Sequence, residues 1–173
     1  MFDLIIKGGT LPDGRVTDIG IKAGRIKAIE PLTAEAGEII DAAGDLVSPP
    51  LADPHFHLDA TQSYGQPRTN QSGTLLEGIA LWGELKQVMT IDDMVARALS
   101  YCDWAASMGL LAIRSHVDTC DDTLKGVEAM LHVKDAVKDY IDLQLVAFPQ
   151  DGFYRDPTAR ANTLRALDMG LDV

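Results

Sequence analysis

Apolar and polar residues follow two different rhythms along this chain, and the change comes at Pro49-Pro50. Before it, the apolar stretches Leu4 to Ile6, Ile19 to Ile21, Ile26 to Ile29 and Glu38 to Ile40 are short. They are broken by Gly8-Gly9, Asp13-Gly14, Ala23-Gly24 and Gly44. This pattern predicts four strands and tight turns, a small β-rich segment over residues 1–48. Over residues 49–173 strands alternate with helices, as a parallel barrel or sheet requires. Leu46 to Ala52 reads as an apolar strand and Thr74 to Val88 as a helix. Thr90, with Asp93 three residues on, caps a second helix on which Met94, Val95, Ala98, Cys102 and Ala105 recur at helical spacing until Gly109 stops it. A strand over Leu110 to His116 follows. A third helix is predicted from Asp121-Asp122 through Val137, a strand from Ile141 to Phe148, and a last helix from Ala159 to Met169. Trp82 and Trp104 fall at core-compatible helix positions and are predicted to pack. Asp92-Asp93 and Asp121-Asp122 sit where a helix start favours negative charge. His132, among Lys134, Asp135 and Lys138, is predicted to face solvent.

Composition narrows the function classes. With 46% hydrophobic and 24% charged residues among 173, the chain can build a core. A net charge of −11 and a pI near 4.6 oppose a nucleic-acid backbone or an anionic membrane as partner. No apolar run approaches the roughly 18 residues that span a bilayer, and Met1-Phe2-Asp3 lacks the basic start of a secretory signal. The expectation is a cytoplasmic protein acting on a small molecule. Cys102 and Cys120 fit no C-x-x-C spacing and are expected to be free thiols.

The chemistry concentrates where predicted strands end. His55 and His57, in Pro54-His55-Phe56-His57-Leu58-Asp59, are two apart, so an extended backbone sends both imidazoles to one face. Two histidines that merely pack near a turn would satisfy the same short pattern. His116 and Asp118 close the second predicted strand of the barrel, and Gln150 follows the third. In a β/α barrel those carboxyl ends share one mouth. Imidazoles suit iron or zinc, and a catalytic site keeps an open position for water. Such a metal lowers the pKa of water from about 16 toward about 7.

The run DPHFHLDATQSYGQPRTNQSGTLLEG from Asp53 to Gly78 resembles the first barrel strand and loop of cytosine deaminases in the amidohydrolase superfamily. Ile113-Arg114-Ser115-His116-Val117-Asp118 is similar to that family's second strand, and Asp142 through Gly152 to its third. The opening Leu4-Ile5-Ile6-Lys7-Gly8-Gly9 also looks like the start of such enzymes. The resemblance implies an α/β fold, the first part of a metal-dependent (β/α)8 TIM barrel preceded by an incomplete β-sandwich. The other metal ligands and the main acid/base glutamate are then expected outside these residues. It implies one divalent metal, iron or zinc, held by His55 and His57. His116 becomes a catalytic candidate, or a strand-end histidine that bonds a neighbour. Gln150, Leu75 and Phe148 become substrate-binding candidates, with a loop cap and a buried strand phenylalanine as the simpler readings of Gln150 and Phe148. Asp59, Gln62, Arg114 and Asp118 are candidates for supporting the site, Asp118 by orienting His116 and Arg114 by pairing with a carboxylate inside the barrel. Tyr64, Arg68 and Phe153 to Asp156 read as loop residues free to remodel the pocket. The implied activity is hydrolytic deamination of cytosine or a close amino-pyrimidine. Isocytosine, creatinine or an N-alkyl triazine are alternative substrates. A portion of a barrel would leave Val, Ile and Leu side chains uncovered. The further expectation is therefore a companion carboxyl-terminal polypeptide, a homo-oligomer, or an inactive or split piece.

Overall fold

The computed structural model describes residues 1–154 and 157–173, in two compact units, Met1–Pro49 and Pro50–Val173. The first is a four-stranded sheet of β1 (Phe2–Thr10), β2 (Val16–Lys22), β3 (Arg25–Ile29) and β4 (Ala36–Asp41) in the order β3-β2-β1-β4. β1 pairs antiparallel with β2 and parallel with β4. A bulge between Ile6 and Gly9 turns on Gly8 at φ +63°, a conformation that costs glycine least. The bulged Gly8 N–H donates to the Asp18 carboxylate at 2.8 Å, and so does the Leu32 N–H. Those two donors hold the Asp18 carboxyl below its usual range. Ile5 and Ile19 are buried, whereas Ile26, Ile39 and Leu46 are exposed.

The second unit is a parallel sheet in the order β5-β6-β7, formed by β5 (Leu51–Phe56), β6 (Leu110–Asp118) and β7 (Asp142–Phe148). Two helices, α1 (Leu75–Val88) and α2 (Ile91–Ser107), connect β5 to β6. α3 (Lys125–Val137) connects β6 to β7, and α4 (Pro157–Met169) follows. The Thr90 hydroxyl accepts from the Asp93 N–H while the Asp93 carboxylate accepts from Thr90, a complete capping box at the start of α2. Ile113, Val117, Leu143 and Leu145 point to the helices and form one core with Met94, Ala98, Cys102, Val127, Met130 and Val133. Cys102 is a buried free thiol and Cys120 a half-buried one, while His132 faces outward. Among the described residues no helix is long and apolar enough to cross a membrane.

Four expectations shift. The strand leading to His55 and His57 begins at Leu51 rather than Leu46, because Pro49 and Pro50 have no N–H for a ladder. Leu51 N–H makes the first bond, to the Gly109 carbonyl at 2.8 Å. α3 starts at Lys125, not at Asp121-Asp122. The Asp121 carboxylate folds onto the Thr123 N–H and hydroxyl, and buried Leu124 takes φ +53° before the helix begins. Trp104 is 62% exposed rather than packed, set edge-on to Tyr101. The sheet face turned away from the helices carries Ala112, Arg114, His116, Gln144, Val146 and Phe148 rather than an aliphatic wall. Strand alternation sends Ile113, Val117, Leu143 and Leu145 to the helix side and leaves Val146 as the branched residue among those six.

Leu145 is fully buried at the centre of this core. Leu145→Ala should cost about 2 to 5 kcal/mol in urea unfolding, and Thr90→Ala, which removes only a cap, about 1 kcal/mol. Equal losses would contradict this placement of the core.

Candidate metal centre

β5 carries one residue too many for its neighbour. Asp53 lies opposite Ile113 and Phe56 opposite Ser115, so Pro54 and His55 together face a single residue of β6. Proline has no ladder bond to lose there, and the His55 N–H folds back onto the Asp53 carboxylate at 3.0 Å. Bulges of this kind re-aim side chains. Phe56 goes to the helix side and stacks on Tyr101 with ring centroids 4.3 Å apart, and the flanking His55 and His57 turn toward His116.

The three imidazoles and Phe148 form one cluster. His55 and His57 have ring centroids 5.4 Å apart, His55 stacks on His116 at 3.9 Å, and His57 lies 5.8 Å from His116. The Phe148 ring stands edge-on to His57 at 5.4 Å and to His116 at 5.6 Å. Burial, then the neighbouring His55, lowers the pKa of both His57 and His116 below the usual imidazole value, which favours the neutral form of each ring. A neutral imidazole has a lone pair for a metal. His116 Nδ1 is buried and has no hydrogen-bond partner among the described residues. These properties fit two ligands of a metal shell, His55 and His57, with His116 beside them. Among the described residues no group of three or more histidine, cysteine, aspartate or glutamate side chains converges to complete one.

Below the cluster, Asp59 is 1% exposed and its Oδ2 accepts the Asp118 N–H at 3.0 Å. Burial pushes its carboxyl up to about 7. The Asp118 carboxylate accepts from Trp82 Nε1, Lys86 Nζ and the Cys120 N–H, each at 2.8 Å. It is therefore engaged by α1 and its own turn, and no hydrogen bond joins it to His116 among the described residues. Arg114 also departs from expectation. Its Nε donates to Gln144 Oε1 at 2.6 Å instead of pairing with a carboxylate, because β7 presents an amide in register beside it. Gln62 is exposed at φ +52°, so its backbone rather than its side chain shapes the loop.

Gln150 is half-buried in the turn closed by the Gly152 N–H and the Pro149 carbonyl, two residues past Phe148. Leu75, 79% exposed, opens α1 behind its Thr74 cap. The loop before it is not free. Arg68 pairs with Glu77 and Glu84 at 2.9 Å each, and Glu77 accepts from both the Ser72 N–H and hydroxyl at 2.6 Å. A cavity of about 200 Å³ lies there, lined by Tyr64, Gln66, Arg68, Asn70 and Trp82 among others. Tyr64 is exposed; Arg155 and Asp156 lie outside the described residues.

Sequence reading missed Ser115, Lys86 and Trp82 as parts of this neighbourhood. Each left a faint signal. Ser115 is the one hydroxyl in the column Ile113, Ser115, Val117, and Trp82 and Lys86 stand four apart on a helix whose buried face is otherwise leucine.

Comparison with known proteins bears on the family and the fold. The model of the Amidohydrolase family matches residues 38–167. Two crystal structures of 5-methylcytosine deaminase from Klebsiella pneumoniae, liganded with phosphonocytosine and 5-fluorocytosine, are 40% identical. They superpose with TM-scores of 0.89 and 0.90 over 97% of this chain and 42% of theirs. The N-isopropylammelide isopropyl amidohydrolase of Pseudomonas sp. strain ADP is 33% identical over 99% of this chain and 44% of its own length. The chain thus spans less than half the length of the relatives it matches.

Two outcomes follow from the buried and loop charges. Lys86→Met leaves the Asp118 carboxylate buried without its cation and should cost about 3 kcal/mol in thermal or urea unfolding; a loss under about 1 kcal/mol would mean the pair is solvated. The Glu77 carboxyl is held down to about 2 by the Ser72 and Arg68 donors. Its folded pKa is below the ordinary 4.5, so its contribution is complete above pH 4.5 and disappears as pH falls toward 2. The Ser72 amide resonance should follow that titration, and Glu77→Gln should abolish it.

Proposed function

Since the chain belongs to the amidohydrolase family, whose model covers 130 of its 173 residues (38–167), we propose that the whole protein hydrolyses the exocyclic amine of cytosine or a close amino-pyrimidine, releasing ammonia. The observation that carries this reading is the His55, His57, His116 and Phe148 cluster at the carboxyl ends of three parallel strands, with Gln150 just beyond. Likeness to 5-methylcytosine deaminase over almost the whole chain supports it.

Each side chain has a task that its position and chemistry allow. His55 and His57 would hold the metal, and their bulged strand end keeps both rings on one face. A bound iron or zinc supplies the Lewis acidity that makes a water nucleophilic near neutral pH. The Gln150 amide offers a donor and an acceptor together, suited to a ring nitrogen and an adjacent carbonyl. Phe148 forms an apolar wall against the base. His116, stacked on His55 and close to His57, stands beside the place where a metal and its water would sit. Water oxygen bonds to the carbon bearing the amine, the carbon–nitrogen bond breaks, and ammonia leaves with a proton. Asp118 is committed to Lys86 and Trp82, and Asp59 is sealed in the interior at 1% exposed, so neither carries that proton. The shuttle is assigned to a carboxylate outside these residues. The remaining barrel strands would come from the rest of the protein, a companion polypeptide or another copy. Their absence would leave this chain inactive.

Likeness to the N-isopropylammelide hydrolase favours a second reading, hydrolysis of an N-alkyl triazine. The leaving group separates the two. Purified whole protein, its intact mass recorded, is supplied with iron(II) or zinc(II) and offered cytosine, isocytosine and N-isopropylammelide. Ammonia from cytosine is expected, with kcat/KM reduced more than about 100-fold in His57→Ala, beyond what loss of an outer partner costs. Gln150→Ala should reduce it about 10- to 100-fold. Isopropylamine without ammonia would establish the triazine reading, and an 18.7 kDa species without turnover on any substrate would overturn both for the chain alone.

A further inference from the structure

We infer that Ser115, whose hydroxyl lies on the helix side of β6, is the positioning residue that sets the orientation of His57, an inference that rests on His57 being a metal ligand. His57 sits where the ladder stops. Phe56 is the last β5 residue in register with β6, and a single 3₁₀ turn, Leu58–Ala60, starts immediately after His57. The backbone N–H of Leu58 therefore lies past the end of the ladder and has no strand carbonyl to receive it. It donates instead to Ser115 Oγ at 3.0 Å, and both Ser115 and Leu58 are fully buried. One residue later, Asp59 Oδ2 receives the Asp118 N–H. The peptide that leaves His57 is thus bound to β6 by a side chain on each side, across a gap that backbone pairing cannot bridge.

A buried N–H without an acceptor is costly, so the serine oxygen restricts the peptide to orientations that keep the bond. The His57 backbone, at φ −129° and ψ 83°, has left the ladder, and its carbonyl makes only the first bond of the 3₁₀ turn, from the Ala60 N–H at 3.2 Å. That peptide plane is one of the two that set where the His57 Cβ points. The neighbouring rings, His116 at 5.8 Å and Phe148 at 5.4 Å, confine the imidazole, and the His116 backbone beside it offers a hydrogen bond to the ring. Alanine at 115 removes the acceptor and leaves the strand intact, since the Ser115 backbone still pairs with Phe56 and Leu145.

Four histidines make the test tractable by carbon–proton correlation of the imidazole rings in the 173-residue chain. In metal-free protein, Ser115→Ala should shift or broaden the His57 ring signals while those of His132, remote on α3, stay in place. Val133→Ala, buried in the same core, is the control for lost stability and should leave the His57 signals unchanged. Zinc(II) is then titrated, and the midpoint for the His57 shift should rise at least about 10-fold in Ser115→Ala, the usual cost of losing an outer partner. Ser115→Cys, a weaker acceptor of similar size, should fall between parent and alanine, and it replaces the alanine variant if that does not fold. His57 signals in Ser115→Ala that coincide with the parent overturn the inference, as does an equal change in Val133→Ala. A parent chain whose His55 and His57 signals ignore zinc would sink the metal reading alone, because the metal-free comparison still decides the role of Ser115.

Discussion

Two buried backbone N–H groups, those of Leu58 and Asp118, lie where the β5-β6 ladder has ended, and the arrangement of the mouth depends on how they are satisfied. Water cannot reach them, so each needs a protein acceptor. Ser115 serves the first and Asp59 the second. The two bonds run in opposite directions between the segments, which prevents the turn after His57 from sliding along β6. The histidines, the 3₁₀ turn and the start of the long loop are then all referenced to a single strand.

The acceptor for Asp118 carries its own cost. Asp59 is buried deeply enough that its carboxyl is pushed up to about 7, and its Oδ1 has no partner among the described residues. The Asp118 carboxylate nearby is treated differently, with three donors converging on it from α1 and the following turn. α1 therefore does more than cover the sheet. Through Trp82 and Lys86 it holds the end of β6, while through Glu77 and Glu84 it holds Arg68 and the loop that leads to Leu75. One helix couples the metal side of the mouth to the loop that would face a substrate.

The open face of the sheet makes chemical sense beside that scaffold. Alternation along β6 and β7 sends Ile113, Val117, Leu143 and Leu145 to the helices and leaves Arg114, His116, Gln144 and Phe148 on the other side. The imidazoles gather at the carboxyl ends of the strands, beside the Phe148 ring. A barrel closed around it would enclose groups that can hydrogen-bond a small planar ring, with an aromatic edge to hold it.

Much of this was legible in the residues themselves. The capping box at Thr90 and Asp93, the stop at Gly109, the strand-helix alternation and the pairing of His55 with His57 are short-range features, set by propensity, turn chemistry and spacing within a few positions. The match of the Asp53 to Gly78 run to a known family extended that reading to the metal. What sequence could not fix depends on partners distant in the chain. The bulge at Pro54-His55 exists only against β6, Asp118 is claimed by Trp82 and Lys86 more than thirty residues earlier, and Arg114 meets Gln144 rather than a carboxylate because of the β6-β7 register. The late start of α3 at Lys125 shows the same division, since buried Leu124 accepts a left-handed backbone to enter the core. Sequence alone determined which elements form and which residues could do chemistry. The tertiary structure decided which of them meet, because register and burial are properties of pairs of segments and not of either one.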